Sequence, residues 1–191
     1  GKHPMGQIPK PGIAVLTNAC FTYLKWAEIW ERIYEVPMVS IDVPATREAG
    51  TRTWPGDDQF EREKKYIKAQ LMELIEICED HTGKKFDIDR LREVLGHVNT
   101  MSSGWKRVLE LNQSRPSLFN ALTDGTVYLG MSNVFRGTPE GAEFFTRLVE
   151  EMEYMSANGI GTLTDEKYRL SFIGVPCYPI FRRFNEMFTE W

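Results

Sequence analysis

The sequence predicts an α/β fold in which a largely helical region lies between strand-containing segments. Two short runs, at 13–16 and 36–44, consist mainly of apolar residues, as buried strands of a parallel sheet do. The stretch between them places apolar and aromatic residues at helical intervals, and the chain from about 50 to 160 has helical texture as well. Strand, helix and strand within about 30 residues are typical of one βαβ unit.

The predicted βαβ unit begins after a Pro/Gly-rich opening. Its first strand is "GIAVLT", residues 12–17. The helix is "FTYLKWAEIWERIYE", and the second strand is "VPMVSIDVP", which ends at Pro44. Proline ends the strand because it has no N–H to donate to a sheet ladder.

A long amphipathic helix is predicted next. Asp57 or Asp58 is placed to cap its first turn, and His81-Thr82-Gly83 ends it. The apolar face is made up of six residues, Phe60, Ile67, Leu71, Leu74, Ile75 and Cys78.

Three further helices are predicted in the middle of the chain. "DIDRLREVLGHVN" is capped by Asp87 or Asp89, and "SSGWKRVLELNQ" is a separate helix that Arg115-Pro116 stops. Thr138-Pro139 supplies an N-cap and a first-turn proline for a helix through Met155.

In the last segment the pattern predicts a strand at "YRLSFIGVP", followed by a helix at "YPIFRRFNEMF". We therefore expect three parts: residues 1–48 as the end of a first α/β lobe, 49–165 as a mainly helical region, and 166–191 as the start of a second lobe. The linker-like opening, and an end inside an amphipathic helix without a C-cap signal, predict a fragment of a larger subunit.

Composition restricts the class of function. The net charge is −4, the pI is about 5.5, and no block of lysine or arginine occurs, which disfavours nucleic acid as a partner. No apolar run approaches the roughly 20 residues that cross a bilayer, and no signal peptide is recognisable, so no membrane partner is expected. Three widely spaced cysteines do not suggest a disulfide framework. The expected compartment is the cytoplasm.

Cys20 is the first candidate for chemistry. It lies just past the carboxyl end of the first predicted strand, where ligands collect in open α/β sheets. It also precedes a helix, and a helix N-terminus stabilises a thiolate. Position alone leaves a functional thiol and a small buried core residue equally open, because free cysteine is among the most buried residue types.

The other two cysteines favour structural roles. Cys177 lies in a similar strand-to-helix turn between Pro176 and Pro179, where it is either a structural turn residue or a second site residue. Cys78 falls on the apolar face of the long helix, which indicates core filling. The sequence has no CxxC motif and no His/Cys cluster, so a self-contained zinc or iron–sulfur site is not expected.

The remaining candidates are weaker. His3, His81 and His97 are scattered, and no catalytic triad, P-loop or GxGxxG motif occurs. Arg47 and Arg52 follow the second predicted strand, at the same sheet edge as Cys20, where they are either exposed loop residues or contacts to an anionic ligand.

The order of segments resembles the family of 2-hydroxyglutaryl-CoA dehydratase D-components and benzoyl-CoA reductases. The resemblance begins at "TNACFTYLKWAEIW" and "VPMVSIDVP", in which a cysteine, a Lys-Trp pair, a helix and an Asp-x-Pro strand end follow one another. It continues through "TGKKFDIDRLREVLGHVN", "RPSLFNALT" and "YRLSFIGVPCYP", and so covers nearly the whole chain.

The resemblance implies two flavodoxin-like (Rossmann-like) α/β lobes with helical elaboration and a heterodimer with a homologous second cluster subunit. It also implies a [4Fe-4S] cluster with three cysteine ligands, of which Cys20 is one and the other two lie outside these 191 residues. Cys177 is not a cluster ligand in this pattern. A separate ATP-hydrolysing activator supplies low-potential electrons, and the substrate is an acyl-CoA. The catalytic residues remain unassigned.

Within the family, the stretch from Ile8 to Met38 is most similar to the B-type subunit of ATP-dependent benzoyl-CoA reductase. That branch implies an oxidoreductase that dearomatises an aromatic acyl-CoA in anaerobic aromatic degradation. Two alternatives stay open. One is a subunit of a 2-hydroxyacyl-CoA dehydratase, a lyase, and the other is a non-catalytic partner subunit of such a complex.

Overall fold

The predicted βαβ unit is present in the computed structural model, which describes residues 10–44, 54–120, 122, 124–163, 165–171 and 180–190. Strand β1 (Ala14–Thr17) pairs in parallel with β2 (Met38–Ile41), and Ala14 lies opposite Met38. Helix α1 (Phe21–Tyr34) connects the two strands and packs against β1. The carboxyl ends of both strands therefore meet at one edge of the sheet, where the α1 helix also begins.

Helix α2 (Asp58–Thr82) packs against β2 and has the predicted bounds. It begins after Asp57 and ends at Gly83, whose φ of 68° is the left-handed conformation that glycine adopts without strain. Five of its six predicted apolar positions are half-buried, and Leu71 remains 44% exposed. The chain up to Phe86 forms one compact unit, and Asp87–Trp191 forms a second.

Helix α3 (Ile88–Leu111) corrects the prediction of two separate helices between 87 and 113. The predicted cap at Asp87 is confirmed, because its carboxylate accepts hydrogen bonds from the backbone N–H groups of Asp89 and Arg90. The helix then continues through Gly104, where a Cβ atom would lie 2.9 Å from Cβ of Phe145. Close packing against the neighbouring helix thus outweighs the low helix propensity of the Ser-Ser-Gly stretch.

Helix α4 (Asp124–Val134) and helix α5 (Pro139–Ala157) complete the packed part of the second unit, in which α5 packs against both α3 and α4. The Thr138 hydroxyl accepts a hydrogen bond from the Gly141 N–H and Pro139 occupies the first turn, which confirms the predicted start of α5. Among the described residues, the most deeply buried large side chains are Val108, Phe145 and Met152.

Helix α6 (Phe181–Glu190) confirms the predicted C-terminal helix. The strand predicted at 168–176 is not confirmed: Tyr168, Arg169, Leu170 and Ser171 have no strand structure, and the rest of that segment is outside the described residues. A strand needs a hydrogen-bonded neighbour, and the described residues provide none here. The described fold is thus mostly helical with a two-stranded parallel sheet. The flavodoxin-like lobes and the three-part domain division stay predictions.

Asn112 organises the loop that follows α3. Its Oδ1 accepts hydrogen bonds from the Ser117 hydroxyl and from the backbone N–H groups of Leu118 and Phe119, at 2.8 to 3.0 Å. Its Nδ2 donates to the Phe119 carbonyl at 3.1 Å. Leu118 and Phe119 are both buried, so one side chain connects this loop to the core.

We expect Asn112→Ala to lower the free energy of unfolding by about 2 kcal/mol, since part-buried donors lose their acceptor. Asn112→Asp keeps the acceptor oxygen and is the matched control, with a smaller loss. Denaturant unfolding of the two variants measures the difference. Equal losses would show that the accepted hydrogen bonds contribute nothing specific.

Candidate functional site

Cys20 lies at the N-cap of α1, directly beyond the turn that ends β1. Its backbone is extended (φ −138°, ψ 127°), and its carbonyl accepts a hydrogen bond from the Tyr23 N–H at 3.0 Å. The side chain is exposed. The structure therefore presents an accessible thiol at the positive end of a 14-residue helix, rather than the buried core residue that position alone left open.

The local groups favour the thiolate form. Hydrogen bonds from the backbone N–H and the hydroxyl of Thr22, with a further one from the Tyr23 N–H, hold the pKa of the Cys20 thiol below its usual value. The small burial of the group acts in the opposite direction. A thiolate is the form of cysteine that binds metals and attacks electrophiles.

We expect Thr22→Val to raise the pKa of Cys20, because the hydroxyl that stabilises the thiolate is removed. In the iron-free chain, the pH dependence of Cys20 alkylation should then move to higher pH. Peptide-level mass spectrometry separates Cys20 from the other two cysteines. Thr22→Ser keeps the hydroxyl and should retain the wild-type profile, and an unchanged profile in Thr22→Val would contradict the role of this hydroxyl.

A polar network connects the Cys20 turn to the end of β2. The Asn18 side chain donates from Nδ2 to Oδ1 of Asp42, and its Oδ1 accepts from the Val43 N–H at 2.8 Å. The Asp42 N–H donates to Oε1 of Gln70 at 2.7 Å, and Nε2 of Gln70 donates to the Asp42 carbonyl at 3.0 Å. The Tyr66 hydroxyl donates to Oδ2 of Asp42 at 2.9 Å.

An apolar hollow of about 540 Å³ lies beside the same βαβ unit. It is lined by residues 13–17 of the first strand and its approach, by Met38, and by four residues of α1, which are Tyr23, Trp26, Ala27 and Trp30. Among the described residues, no charged side chain lines it. The described lining suits apolar groups and contains no cation that could neutralise a phosphate.

Among the described residues, the other sequence candidates do not form a metal-binding group with Cys20. Cys78 is half-buried on α2, as its predicted packing role requires. The His81 ring lies against Gly12, and Nε2 of His97 lies 3.9 Å from Oε1 of Glu93. Four candidates, His3, Arg47, Arg52 and Cys177, are outside the described residues. Within the described ranges, no group of three or more His, Cys, Asp or Glu side chains is placed to hold a metal ion.

Comparison with known families identifies the chain. The family described as "2-hydroxyglutaryl-CoA dehydratase, D-component" matches residues 2–190. The chain belongs to this family. The family predicted from the Cys20 segment and the order of the later segments is therefore confirmed.

The relatives include both reductase and dehydratase subunits. The B subunit of benzoyl-CoA reductase of Thauera aromatica is 34% identical over 96% of this chain and 43% of its own length. The alpha subunit of (R)-2-hydroxyglutaryl-CoA dehydratase of Acidaminococcus fermentans is 31% identical over 93% of the chain and 36% of its own length. The (R)-phenyllactyl-CoA dehydratase alpha subunit of Clostridium sporogenes is 30% identical over 96% and 44%. The chain thus spans less than half the length of these relatives.

Sequence reasoning missed the network around Cys20. It identified the thiol and the Asp-x-Pro strand end, but it did not connect Asn18, Asp42 and Gln70. A signal was available, since Asn18 follows one parallel strand and Asp42 follows its neighbour, and such ends meet at one sheet edge. Gln70 lies 28 residues beyond Asp42 and carried no signal of its own.

Among the described helices, none has the length and apolar character needed to span a membrane.

Proposed function

We propose that this chain is part of the iron–sulfur subunit of an ATP-dependent benzoyl-CoA reductase, and that Cys20 supplies one thiolate ligand of a [4Fe-4S] cluster. The observation that carries the proposal is the exposed Cys20 thiol at the N-terminus of α1, where the pKa of the thiol is lowered by the neighbouring polar groups of Thr22 and Tyr23. The family and the 34% identity to the benzoyl-CoA reductase B subunit support the assignment.

The chemistry of this thiol fits a cluster. Cysteine thiolates are the usual ligands of [4Fe-4S] clusters, and hydrogen bonds to the sulfur atoms tune the reduction potential. A cluster with thiolate ligands carries net negative charge, which the N-terminus of α1 favours. The described residues supply one such ligand, and we place the other two cysteine ligands outside these 191 residues. When bound, the cluster would supply low-potential one-electron transfer to the acyl-CoA.

The role of the residues around Cys20 is to hold the ligand and to favour its thiolate form. Thr22 and Tyr23 lower the pKa of the Cys20 thiol, and the Tyr23 N–H donates to the Cys20 carbonyl, so that the first turn of α1 fixes the backbone that carries the thiol. We propose further that the βαβ unit belongs to a flavodoxin-like lobe of a heterodimer. A separate activator that hydrolyses ATP would deliver the electrons. The relatives are named as B and alpha subunits of their enzymes, which supports a complex of several subunits.

A second candidate is a subunit of a 2-hydroxyacyl-CoA dehydratase. Two dehydratase alpha subunits are 30% and 31% identical to this chain, which is close to the 34% of the reductase subunit. The two functions share the proposed cluster and activator. They differ in substrate and in whether electrons are consumed.

An assay of the anaerobically purified complex with its reduced activator separates the two functions. We expect consumption of benzoyl-CoA, accompanied by net consumption of electrons, and no turnover of 2-hydroxyacyl-CoA thioesters. Dehydration of a 2-hydroxyacyl-CoA without net electron consumption would replace the reductase by the dehydratase. Turnover of neither class, with the cluster present, would argue against both.

A further inference from the structure

We propose that Asn18, Asp42 and Gln70 form a positioning clamp for Cys20, which holds the thiolate in the direction that the cluster requires. The inference rests on the proposed function, because it assumes that Cys20 is a cluster ligand. It assigns a task to three residues that lie outside the ligand set. The clamp is the set of hydrogen bonds that join the Asn18 side chain to the Asp42 carboxylate and the Val43 N–H, and the Gln70 side chain to the Asp42 main chain.

The first step is the attachment of the Cys20 turn. Both ends of the Asn18 amide are used, one by the Asp42 carboxylate and the other by the Val43 N–H. The Asn18 backbone N–H also donates to the Ile41 carbonyl at 3.3 Å. Cys20 follows two residues later and is held on its other side by the first turn of α1. The backbone that carries the thiol is therefore fixed on both sides, while the thiol itself remains exposed.

The second step is the attachment of Asp42 to a long helix. Gln70 forms a two-point contact with the Asp42 main chain, at 2.7 Å to its N–H and 3.0 Å to its carbonyl. Tyr66 lies one helical turn before Gln70 on the same face of α2 and donates to the Asp42 carboxylate. The clamp thus connects the exposed turn to a 25-residue helix within the first unit.

The third step is the reason that this thiol needs a clamp. Metal ligands are oriented by the hydrogen bonds behind them, and removal of such supporting groups typically weakens metal binding by about 10- to 100-fold. Packing does not restrain an exposed side chain at the end of a turn, so its direction depends on the backbone. The network around Asn18 supplies that restraint. A purely structural network would affect unfolding but would leave the spectrum of the cluster unchanged.

The test is a charge swap in the anaerobically purified complex that contains this chain. Asn18→Asp replaces the donating amide by a carboxylate that faces Asp42, so the clamp is opened by repulsion. Adding Asp42→Asn places a donating amide at position 42 opposite the accepting carboxylate at position 18. The second oxygen of the carboxylate at position 18 still accepts from the Val43 N–H. We expect about ten-fold faster release of iron to a chelator and an altered EPR spectrum of the reduced cluster in Asn18→Asp, with both near wild type in the double variant.

Two glutamine variants on α2 provide a matched comparison, in which Gln70→Met is the test and Gln59→Met is the control. Gln70→Met removes the contact to Asp42 and should also speed iron release. Gln59→Met removes a side-chain amide from the same helix, where Gln59 donates to Glu63 one turn later, and should behave as wild type. Alkylation of Cys20 in the iron-free chain gives a readout that does not depend on the cluster.

Two results overturn the clamp. The first is that Asn18→Asp and Gln70→Met both keep the wild-type iron release, EPR spectrum and Cys20 alkylation. The second is that the double variant releases iron as fast as Asn18→Asp alone and has the same altered EPR spectrum. Cys20→Ser, measured alongside, separates the clamp from the proposed function. If Cys20→Ser keeps its full cluster, the ligand role of Cys20 fails and the clamp fails with it. If Cys20→Ser loses the cluster while the clamp variants keep it, only the clamp fails.

Discussion

Replacement of Cys20 by serine is expected to remove one [4Fe-4S] cluster, about four irons, from the anaerobically purified complex and to abolish turnover. The physical reason is that the hydroxyl of serine is far harder to deprotonate than a thiol and is a poor ligand for an iron–sulfur cluster. The structure places this thiol at a helix N-terminus, exposed and within reach of backbone donors. Iron analysis and the EPR spectrum of the reduced complex measure the loss.

Two cysteine variants serve as controls. Cys78→Ser changes a half-buried thiol on α2 and should keep the full iron content. Cys177→Ala should keep it too, since the resemblance does not make Cys177 a ligand. Full iron and activity in Cys20→Ser would refute the assignment of Cys20, and loss of the cluster in Cys177→Ala would show that a ligand was misplaced.

Phe145→Ala is expected to lower the free energy of unfolding by about 3–5 kcal/mol, the usual cost of truncating a buried phenylalanine. Phe145 is 1% exposed and lies in the aromatic core of the second unit. Its ring centroid is 5.9 Å from that of Tyr128 and 6.5 Å from that of Trp105, both in edge-to-face geometry. Alanine keeps the Cβ that lies close to Gly104 of α3, so the truncation leaves a cavity where the ring packs against Trp105 and Tyr128.

Denaturant unfolding followed by tryptophan fluorescence measures the effect, with Trp105 next to the cavity as a reporter. Tyr154→Ala is the matched control, because Tyr154 is on the same helix but 63% exposed. It should change stability by less than about 1 kcal/mol. A similar loss in both variants would mean that the aromatic core does not determine the stability of this unit.

The sequence predicted α1, α2, α5 and α6 as separate helices, but it divided α3 into two helices and gave α4 only as part of a mainly helical region. The caps at Asp87 and Thr138 are local signals, because each side chain bonds N–H groups two or three residues away. The merging of two predicted helices into α3 depends instead on Gly104 and Phe145, which are 41 residues apart. No local pattern reports such a contact. The strand predicted from Tyr168 onward likewise depends on a neighbouring strand, which a local sequence pattern does not identify.

For the candidate site, the sequence by itself determined the family and the residue that carries the proposed chemistry. Cys20 could be identified because a strand end, a thiol and a helix start follow one another within eight residues, from Ala14 to Phe21. Only the tertiary structure decided what surrounds the thiol. The thiol is exposed, and the hydrogen bonds among Asn18, Asp42 and Gln70 arise from parallel strand pairing and from α2 packing on β2. Such contacts join residues 24 to 28 positions apart, and local sequence patterns do not specify them.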